Sequence, residues 1–381
     1  MLNPHTGCWS VMKRLALAQR DTGRYAGVAL GLITDRSWPR AYEEDLGSLG
    51  VTAYRRHTAK MSGTLQHLCQ MVRRPGIEGW VDDLAERSRA DHVVVHFHNA
   101  WTSGAFVPLR RTRTPVSVVV TFHGIAGAGP LRRQPVRRAI HRFFAQRLIT
   151  FGARLTSVDA GCFAAAEELF GIERARFTII PNGMPAENNS YGPFCHGAGC
   201  LTLAHVGSFT EDKGWRIAAE TVICEARAGR RIRLLLAGWG PQEFEAKELA
   251  TQHPGCLTFL GHVADPCRTV LPQVDLFVLM TSNDGLPMAI IEAMSCAIPV
   301  VSTRIGGIPD AVAHGESGFL VERSVAALAK VLDSVYKDPG RLATLSEGTK
   351  RIFSQRFDIA HVVRAYDSVY QEVRSAYLKS V

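Results

Sequence analysis

Residues 281–295 read TSNDGLPMAIIEAMS, and they follow the apolar run 276–280, which predicts a buried strand. A glycine-containing turn then leads into an apolar pattern of helical period, with Pro287 near the predicted first helical position, where its missing N–H costs little. In this order, strand, turn and helix present free backbone amides to an anion, as nucleotide-binding α/β folds do. We therefore predict an anion site at the start of this helix.

Two carboxylates flank that helix start. Asp284 lies in the predicted loop and Glu292 lies just over one helical turn past Pro287. Both can face one crevice, where a carboxylate accepts two hydrogen bonds from neighbouring sugar or ribose hydroxyls. The alternative is that Asp284 caps the helix and Glu292 is solvated on its outer face. The residue types alone do not separate these interpretations.

A second strand, glycine turn and helix start occupy residues 299–310, PVVSTRIGGIPD. Adjacent Gly306 and Gly307 would let the backbone approach a pyrophosphate closely. An ordinary strand-to-helix turn has the same composition, so this motif alone is weak. Two such turns, one strand apart, favour a nucleotide site more strongly than either one.

Short apolar runs alternate with longer helical patterns along the whole chain, which predicts an α/β fold with parallel sheets. A segment rich in Asn, Gly, Pro and Ser divides the pattern, so we predict an N-terminal domain at 1–185, a linker at 186–199 and a second α/β domain at 200–357. Two such halves imply a cleft at the carboxyl ends of their strands. Strands are expected at 93–97, 116–122, 177–180, 201–206, 232–237, 256–260, 276–280 and 300–303, and helices at 79–89, 132–148, 161–170, 214–228, 242–251, 288–297, 324–333 and 359–378.

The composition is that of a globular protein, because 46% of the 381 residues are hydrophobic and 21% are charged. Disordered and fibrous classes are thereby excluded. Nine scattered cysteines without framework spacing indicate reduced thiols and a cytoplasmic location. No apolar run reaches the roughly 18 residues of a membrane span, and no leader pattern begins the chain, so neither a secreted nor a transmembrane protein is expected.

The net charge of +9 is concentrated in the first half, where residues 1–190 carry 25 Lys and Arg against 15 Asp and Glu. The tract from Arg132 to Arg147 mixes arginines with apolar residues at helical spacing, which predicts a basic amphipathic helix. Such a helix could lie on an anionic membrane surface beside a lipid-linked acceptor. Equally, its apolar stripe could pack on the sheet and leave the arginines merely solvated. Nucleic-acid binding is not expected, because no reader motif accompanies the charge.

Several motifs together resemble the group 1 (family 4) retaining glycosyltransferases. These are Asp284-x7-Glu292, the Pro299-Val300-Val301 strand with Gly306-Gly307, Val206-Gly207-Ser208 with Lys213-Gly214, Gly238-Trp239-Gly240-Pro241 and Pro181-Asn182-Gly183. Their order and spacing cover most of the chain. The resemblance implies a GT-B fold, two Rossmann-like domains facing across a cleft, with a C-terminal helix at 358–381 crossing back to the N-terminal domain.

The resemblance also implies roles. Glu292 would hold the ribose of a UDP- or GDP-sugar, Asp284 would bind the transferred sugar, and Lys213 would neutralise the diphosphate. Backbone groups of Gly207, Ser208, Gly285, Leu286, Pro287, Met288, Gly306 and Gly307 would line the nucleotide. Ser208 stands where many members carry Arg, so one expected positive charge is missing, and Arg304 is a candidate replacement. His123, after the strand at 116–122, resembles a family histidine that approaches the donor sugar.

The function expected from the resemblance is sugar transfer, with retention, to a saccharide or lipid-linked acceptor in cell-surface or extracellular polysaccharide synthesis. The nucleotide sugar is the substrate, and no cofactor or metal is expected, because no Asp-x-Asp motif occurs and Asp82-Asp83 is interpreted as a solvated helix face. His98 and Asn99 are weaker candidates for acceptor contacts, and Gly7 and Cys8 are expected in a glycine-rich loop. An alternative is a relative that has lost turnover and acts as a scaffold. A dehydrogenase is disfavoured because Gly238-Trp239-Gly240 lacks the third glycine.

Overall fold

The structure is a computed structural model that describes residues 7–34, 52–57, 77–98, 109, 112–123, 134–173, 177–186, 199–338 and 340–379. The chain forms two compact units. The first unit comprises Met1–Pro181 with Ile359–Val381, and the second comprises Asn182–Asp358. The first boundary thus lies a few residues before the predicted one, because the Met184 amide donates to the carbonyl of Phe357 at 2.9 Å, within the second unit. Residues 187–198, most of the predicted linker, lie outside the described residues.

The first unit contains a four-stranded sheet in which all neighbouring strands are parallel, in the order β3-β4-β5-β6. A separate parallel pair is formed by β1 and β2. In chain order the elements are α1 (Gly7–Asp21), β1 (Ala29–Thr34), β2 (Thr52–His57), α2 (Ile77–Ser88), β3 (Val93–His98), β4 (Val116–Phe122), α3 (Pro135–Thr150), β5 (Arg154–Ser157), α4 (Ala160–Phe170) and β6 (Phe177–Ile179).

The second unit contains a six-stranded sheet, again with parallel neighbours only, in the order β12-β11-β10-β7-β8-β9. Its elements are β7 (Leu201–Ser208), a 3-10 turn (Glu211–Lys213), α5 (Trp215–Arg227), β8 (Ile232–Trp239), α6 (Glu243–Gln252), β9 (Leu257–Gly261), α7 (Pro266–Thr269), a 3-10 turn (Leu271–Gln273), β10 (Leu276–Leu279), α8 (Met288–Ser295), β11 (Val300–Thr303), α9 (Ile308–Ala311), β12 (Gly318–Val321), α10 (Val325–Lys337) and α11 (Gly340–Arg356).

This strand order is that of a doubly wound dinucleotide-binding fold, with its direction of progression reversing between β7 and β10. The central strands are fully buried, as the continuous apolar runs predicted, and Trp215 of α5 is completely enclosed against them. The α/β prediction with parallel sheets is therefore confirmed in each unit.

The last helix, α12 (Ile359–Leu378), belongs to the first unit. It packs Val362, Val363 and Tyr366 in one buried cluster with Val119 of β4. The Tyr366 hydroxyl is 3.0 Å from that of Thr121, so polar as well as apolar contacts hold the helix to the sheet. The chain thus returns to its first unit at Ile359.

Two local expectations are wrong. Gly7 and Cys8 begin helix α1 instead of a glycine-rich loop. Asp82 is 7% exposed rather than solvated, because its carboxylate accepts hydrogen bonds from the amides of Arg113 (3.1 Å) and Thr114 (3.0 Å). Burial raises the pKa of the Asp82 carboxyl, but the Thr114 and Arg113 amides lower it more, so the pKa lies below its usual value.

The basic tract forms helix α3 from Pro135, and the apolar side chains of it that the structure describes are partly buried and partly exposed. Ala145 and Leu148 are buried, whereas Val136 is 74% and Phe143 54% exposed. Arg132 and Arg133 lie outside the described residues. Within the parts of the chain that the structure describes, no helix is long and apolar enough to cross a membrane.

Candidate functional site

The candidate site lies where β7 and β10 end, at the carboxyl edge of the second sheet. Neighbouring parallel strands deliver their following loops to the same edge, and ligands of open α/β sheets bind where the strand order reverses. Gly207 and Ser208 end β7, while Thr281 and Asp284 follow β10. The strand order therefore brings two segments, 70 to 80 residues apart in sequence, to the same place.

The strongest contact at this edge joins two of the predicted site residues. Lys213 Nζ donates to both carboxylate oxygens of Asp284, each at 2.7 Å. The Thr281 hydroxyl donates to Asp284 Oδ2 at 2.9 Å, and Asp212 Oδ2 is 3.7 Å from Lys213 Nζ. Lys213 and Asp284 are 22% and 17% exposed, so the pair is partly desolvated but accessible from the edge. The Asp284 carboxylate is thus engaged by Lys213, and it does not cap α8, whose N-cap is Pro287.

Two glycines make this pairing possible. Gly214 has φ +67°, and a Cβ there would lie 2.1 Å from the carbonyl oxygen of Met280. Gly306 has φ +54°, and a Cβ there would lie 2.1 Å from the carbonyl oxygen of Asp284. The Gly307 amide also donates to the carbonyl oxygen of Gly285 at 2.8 Å. At Gly214 and Gly306 the backbone therefore packs directly against the backbone that follows β10, with no room for a side chain at either position.

Helix α8 begins at Met288, the residue at which the helix was predicted to start. Leu286 and Met288 are buried, while Gly285 and Pro287 are half-buried. Glu292 lies one turn into α8 and is half-buried; its carbonyl accepts the hydroxyl hydrogen of Ser295 at 2.7 Å. The first turn of α8 and the turn at Gly306 and Gly307 thus flank the loop that carries Asp284.

Of the remaining predicted residues, Gly207 and Ser208 are half-buried at the end of β7, and Arg304 is exposed after β11. Neighbouring residues that the motifs do not single out also organise the edge. Arg323 donates from Nε to the Met280 carbonyl at 2.9 Å and also to the carbonyl of Glu211. Arg323 therefore holds the turn that carries Lys213 to the end of β10. In the sequence it is a single charged residue before Ser324, which does not predict this role.

His123, at the end of β4, belongs to the first unit. Its Nε2 is 2.8 Å from Nδ1 of His98, and the two rings stack with centroids 5.1 Å apart. Burial lowers the pKa of His98 well below its usual value, and nearby His96 and His123 lower it further. Because His98 is uncharged, one facing nitrogen carries a hydrogen and the other a lone pair, so the contact orders both rings. Asn99 lies outside the described residues.

The polar network of the first unit continues from there to α12. His96 Nδ1 is hydrogen-bonded to the Tyr370 hydroxyl at 2.7 Å, and its Nε2 to the Thr121 hydroxyl at 2.6 Å. Burial, with the charge of His123 as a second cause, lowers the pKa of His96 to about 3. His96 is therefore a structural member of the network that supports His98.

Taken together, the second unit offers a cation, a carboxylate and two glycine turns at one sheet edge, with Glu292 one turn into the adjoining helix α8. A lysine and the amides of a helix start are suited to a diphosphate, and carboxylates to hydroxyl groups. Among the described residues, no group of three or more His, Cys, Asp or Glu side chains has the geometry of a metal site.

Two family models match the chain, one over each unit. The model described as "Glycosyl transferases group 1" matches residues 200–338, and that described as "Glycosyl transferase 4-like domain" matches residues 6–183. The first match contains the candidate site, from Gly207 to Gly307.

Curated relatives and solved structures agree with these matches. The chain is 27% identical over 310 residues to N-acetyl-alpha-D-glucosaminyl L-malate synthase of Bacillus anthracis, covering 76% of this chain and 77% of the relative. It is 28% identical over 237 residues to the putative colanic acid biosynthesis glycosyltransferase WcaL of Salmonella typhimurium, covering 58% of this chain but 55% of the relative.

Among solved structures, Anabaena Alr3699/HepE in complex with UDP superposes with a TM-score of 0.74 at 18% identity, with 97% of each chain covered. At that identity the likeness shows the fold. The family matches, the relatives and the two parallel-sheet units lead to one conclusion: the chain is a group 1, family 4 glycosyltransferase of the GT-B fold.

Proposed function

We propose that this enzyme transfers a sugar from a UDP- or GDP-sugar, with retention of anomeric configuration, to a saccharide or lipid-linked acceptor in polysaccharide synthesis. The nucleotide sugar would bind at the edge formed by Gly207, Lys213, Asp284 and Glu292. The UDP bound to the Anabaena relative is consistent with this donor, and colanic acid biosynthesis, with which WcaL is associated, is consistent with this process.

One observation supports the donor site above all others. Lys213 and Asp284, from loops 71 residues apart, meet at 2.7 Å at the point where the strand order reverses. A partly exposed lysine that donates twice to one carboxylate retains one of its three hydrogens for an oxygen of a bound diphosphate. The amides at the start of α8 and beside Gly307 add a positive dipole next to it.

In this proposal the protein acts mainly by positioning and electrostatics. Lys213 and the helix-start amides would stabilise the negative charge on the departing diphosphate. Asp284 would orient hydroxyl groups of the transferred sugar, and Glu292 those of the ribose. Retention would follow if the acceptor hydroxyl attacks from the side of the leaving group and passes its proton to the leaving phosphate.

The test is a thermal-shift panel of UDP, GDP, ADP and their sugars. A ligand at 100 times its Kd raises the free energy of unfolding by about 2.7 kcal/mol, which is a readily measured shift. Glu292→Ala should abolish the shift, whereas Asp284→Ala should weaken discrimination between sugars on one nucleotide. Glu220→Ala, an exposed carboxylate on the outer face of α5, is the matched control and should respond like wild type.

Two outcomes would reject the donor site. One is an unchanged ligand response in both Glu292→Ala and Asp284→Ala. The other is the absence of any nucleotide shift together with no release of labelled sugar from the donors, which would favour a scaffold role.

We also propose that helix α3 contacts an anionic membrane surface. Val136 and Phe143 lie seven residues apart, on one side of the helix, and both are largely exposed. Arg138 and Arg142 are exposed beside them, and the Arg147 guanidinium lies 5.8 Å from the Phe143 ring centre. Exposed apolar residues flanked by arginines match the chemistry of an interfacial helix, in which each cation contributes about 1 kcal/mol near an anionic surface.

Vesicle sedimentation tests this second proposal. Vesicles of phosphatidylcholine with 30% phosphatidylserine (roughly −30 to −50 mV at the surface) should bind wild type, and Val136→Ser with Phe143→Ser should reduce binding. Phe244→Ser, which removes a 76% exposed aromatic residue from α6, is the matched control. Equal binding by neutral vesicles, or equal loss in the control, would contradict the proposal.

A further inference from the structure

One buried histidine of the second unit takes no part in the contacts described above. His205 lies in β7, three residues before the strand ends, and is completely buried. Its Nδ1 is 3.3 Å from the carbonyl oxygen of Val278 in the neighbouring strand. Because a carbonyl oxygen only accepts, Nδ1 carries the hydrogen in this contact, and Nε2 is left with a lone pair.

That lone pair has no hydrogen-bond partner among the residues that the structure describes. A buried polar atom without a partner is rare, and a functional reason is a common explanation. The atom faces Gly207: a Cβ placed on Gly207 would lie 3.6 Å from His205 Nε2, with no other atom within 4 Å. A methyl group at position 207 would be in ordinary van der Waals contact with Nε2, so the glycine leaves room for one such group beside this buried atom.

The surroundings keep the unliganded ring neutral. Burial lowers the pKa of His205 to about 4; the contact with Val278 raises it in part, and the charge of Lys213 lowers it. The uncharged Phe209 ring stacks on the His205 imidazole, with the two ring centroids 6.2 Å apart. In the described part of the chain, Lys213 is the charged group that acts on the ring, with Asp284 and Asp212 beyond it.

We propose that His205 contacts the diphosphate of the bound nucleotide sugar and takes up one proton from solvent as that ligand binds. The imidazolium then donates from Nδ1 to Val278 and from Nε2 to a phosphate oxygen, and it supplies the second cation that Ser208 does not. Arg304, the other candidate for this charge, is exposed after β11, which β10 separates from β7 in the sheet. A dianionic ligand over Gly207 favours the charged ring, because an opposite charge within about 4–6 Å raises the pKa of a histidine.

This inference rests on the proposed donor site, and calorimetry distinguishes failure of the two. UDP-glucose and GDP-mannose are titrated into the full chain at pH 6 in two buffers with different ionisation enthalpies. Their diphosphates are diesters that do not titrate near neutrality, so the difference in heat counts the protons gained by the protein. We expect uptake approaching one proton, and an affinity that rises as the pH falls from 8 to 6, by up to tenfold per pH unit.

His205→Gln keeps a hydrogen-bonding group but cannot titrate in this range, so it should abolish the uptake and flatten the pH profile. His262→Gln, which changes an exposed histidine of the same unit, should leave both unchanged. Binding by wild type without proton uptake would overturn this inference while leaving the donor site intact, and this result needs no variant. If neither sugar nucleotide binds, the proposed function fails and this inference fails with it.

Discussion

Replacing Gly306 by alanine tests the packing that brings the donor loops together. The backbone there has φ +54°, and a Cβ would lie 2.1 Å from the carbonyl oxygen of Asp284 and 2.6 Å from that of Gly285. Atoms of this kind do not approach closer than about 3 Å, so the Asp284 loop must move by about 1 Å. The movement would displace the carboxylate that holds Lys213.

Two contributions make up the expected loss of stability. Left-handed backbone costs an alanine about 1–2 kcal/mol relative to glycine. Overpacking against fixed backbone adds about 1–3 kcal/mol. Gly315→Ala separates the two, because Gly315 has φ +82° but a Cβ there meets no atom within 4 Å. Gly315→Ala should therefore lose only the first contribution.

Urea unfolding of both variants, followed by nucleotide titration, provides the assay. Gly306→Ala should be less stable than Gly315→Ala by about 1–3 kcal/mol. It should also bind the preferred nucleotide sugar at least tenfold more weakly, since about 1.4 kcal/mol of lost interaction is sufficient for that change. Equal stability and equal affinity in the two variants would refute the contact between the loops.

Two further predictions concern charged groups. Lys213→Met should weaken nucleotide-sugar binding about 10- to 100-fold, because the ligand loses one charged hydrogen bond. Calorimetry measures this change, and an unchanged affinity would show that Lys213 does not contact the ligand. Asp82→Asn should destabilise the chain by about 2 kcal/mol in urea unfolding at pH 7, because one backbone amide loses its acceptor, whereas exposed Asp83→Asn should not. The pKa of Asp82 is lowered in the folded protein, so its stabilisation is present above the unfolded pKa of about 3.9 and is lost as the pH falls through the lower folded value. A difference between the two variants that does not shrink in acid would contradict this assignment.

The central strands of the second unit could be predicted from the sequence because a strand buried on both faces is a continuous apolar run. Val300–Thr303 is a short apolar run between turn residues, and its observed bounds equal the predicted ones. Helix α12 was predicted with equal success from its amphipathic period, Ile359–Leu378. These elements depend on local patterns that a single segment contains.

Other elements lacked such a pattern. Strand β12 has four residues and begins with Gly318, whose Cβ would lie 2.0 Å from the carbonyl oxygen of Val300, so its glycine is required by tertiary packing. Helix α11 was missed because glycine, serine and threonine interrupt its apolar period, although Ser346 and Thr349 are buried and bonded to backbone carbonyls. Tertiary contacts decide these elements, and local propensity does not report them.

The candidate site shows the same division. Spacing and glycine turns predicted Asp284 and Gly306 as residues of one site, and the family resemblance added Lys213 to it. Nothing in the spacing could show that Lys213 binds both oxygens of Asp284, since that contact arises from the strand order. His205 likewise reads as one polar residue within a buried strand, and its unpaired nitrogen is visible only beside Gly207.

The central claim is that a nucleotide sugar binds at the carboxyl edge of the second sheet. Hydrogen exchange with and without the nucleotide sugar that stabilises the protein most tests it directly. We expect slower exchange of the amides at residues 207–208, at 285, 286 and 288, and at 306–307 when the ligand is bound. Slower exchange elsewhere in the chain, with no change in these three segments, would contradict it.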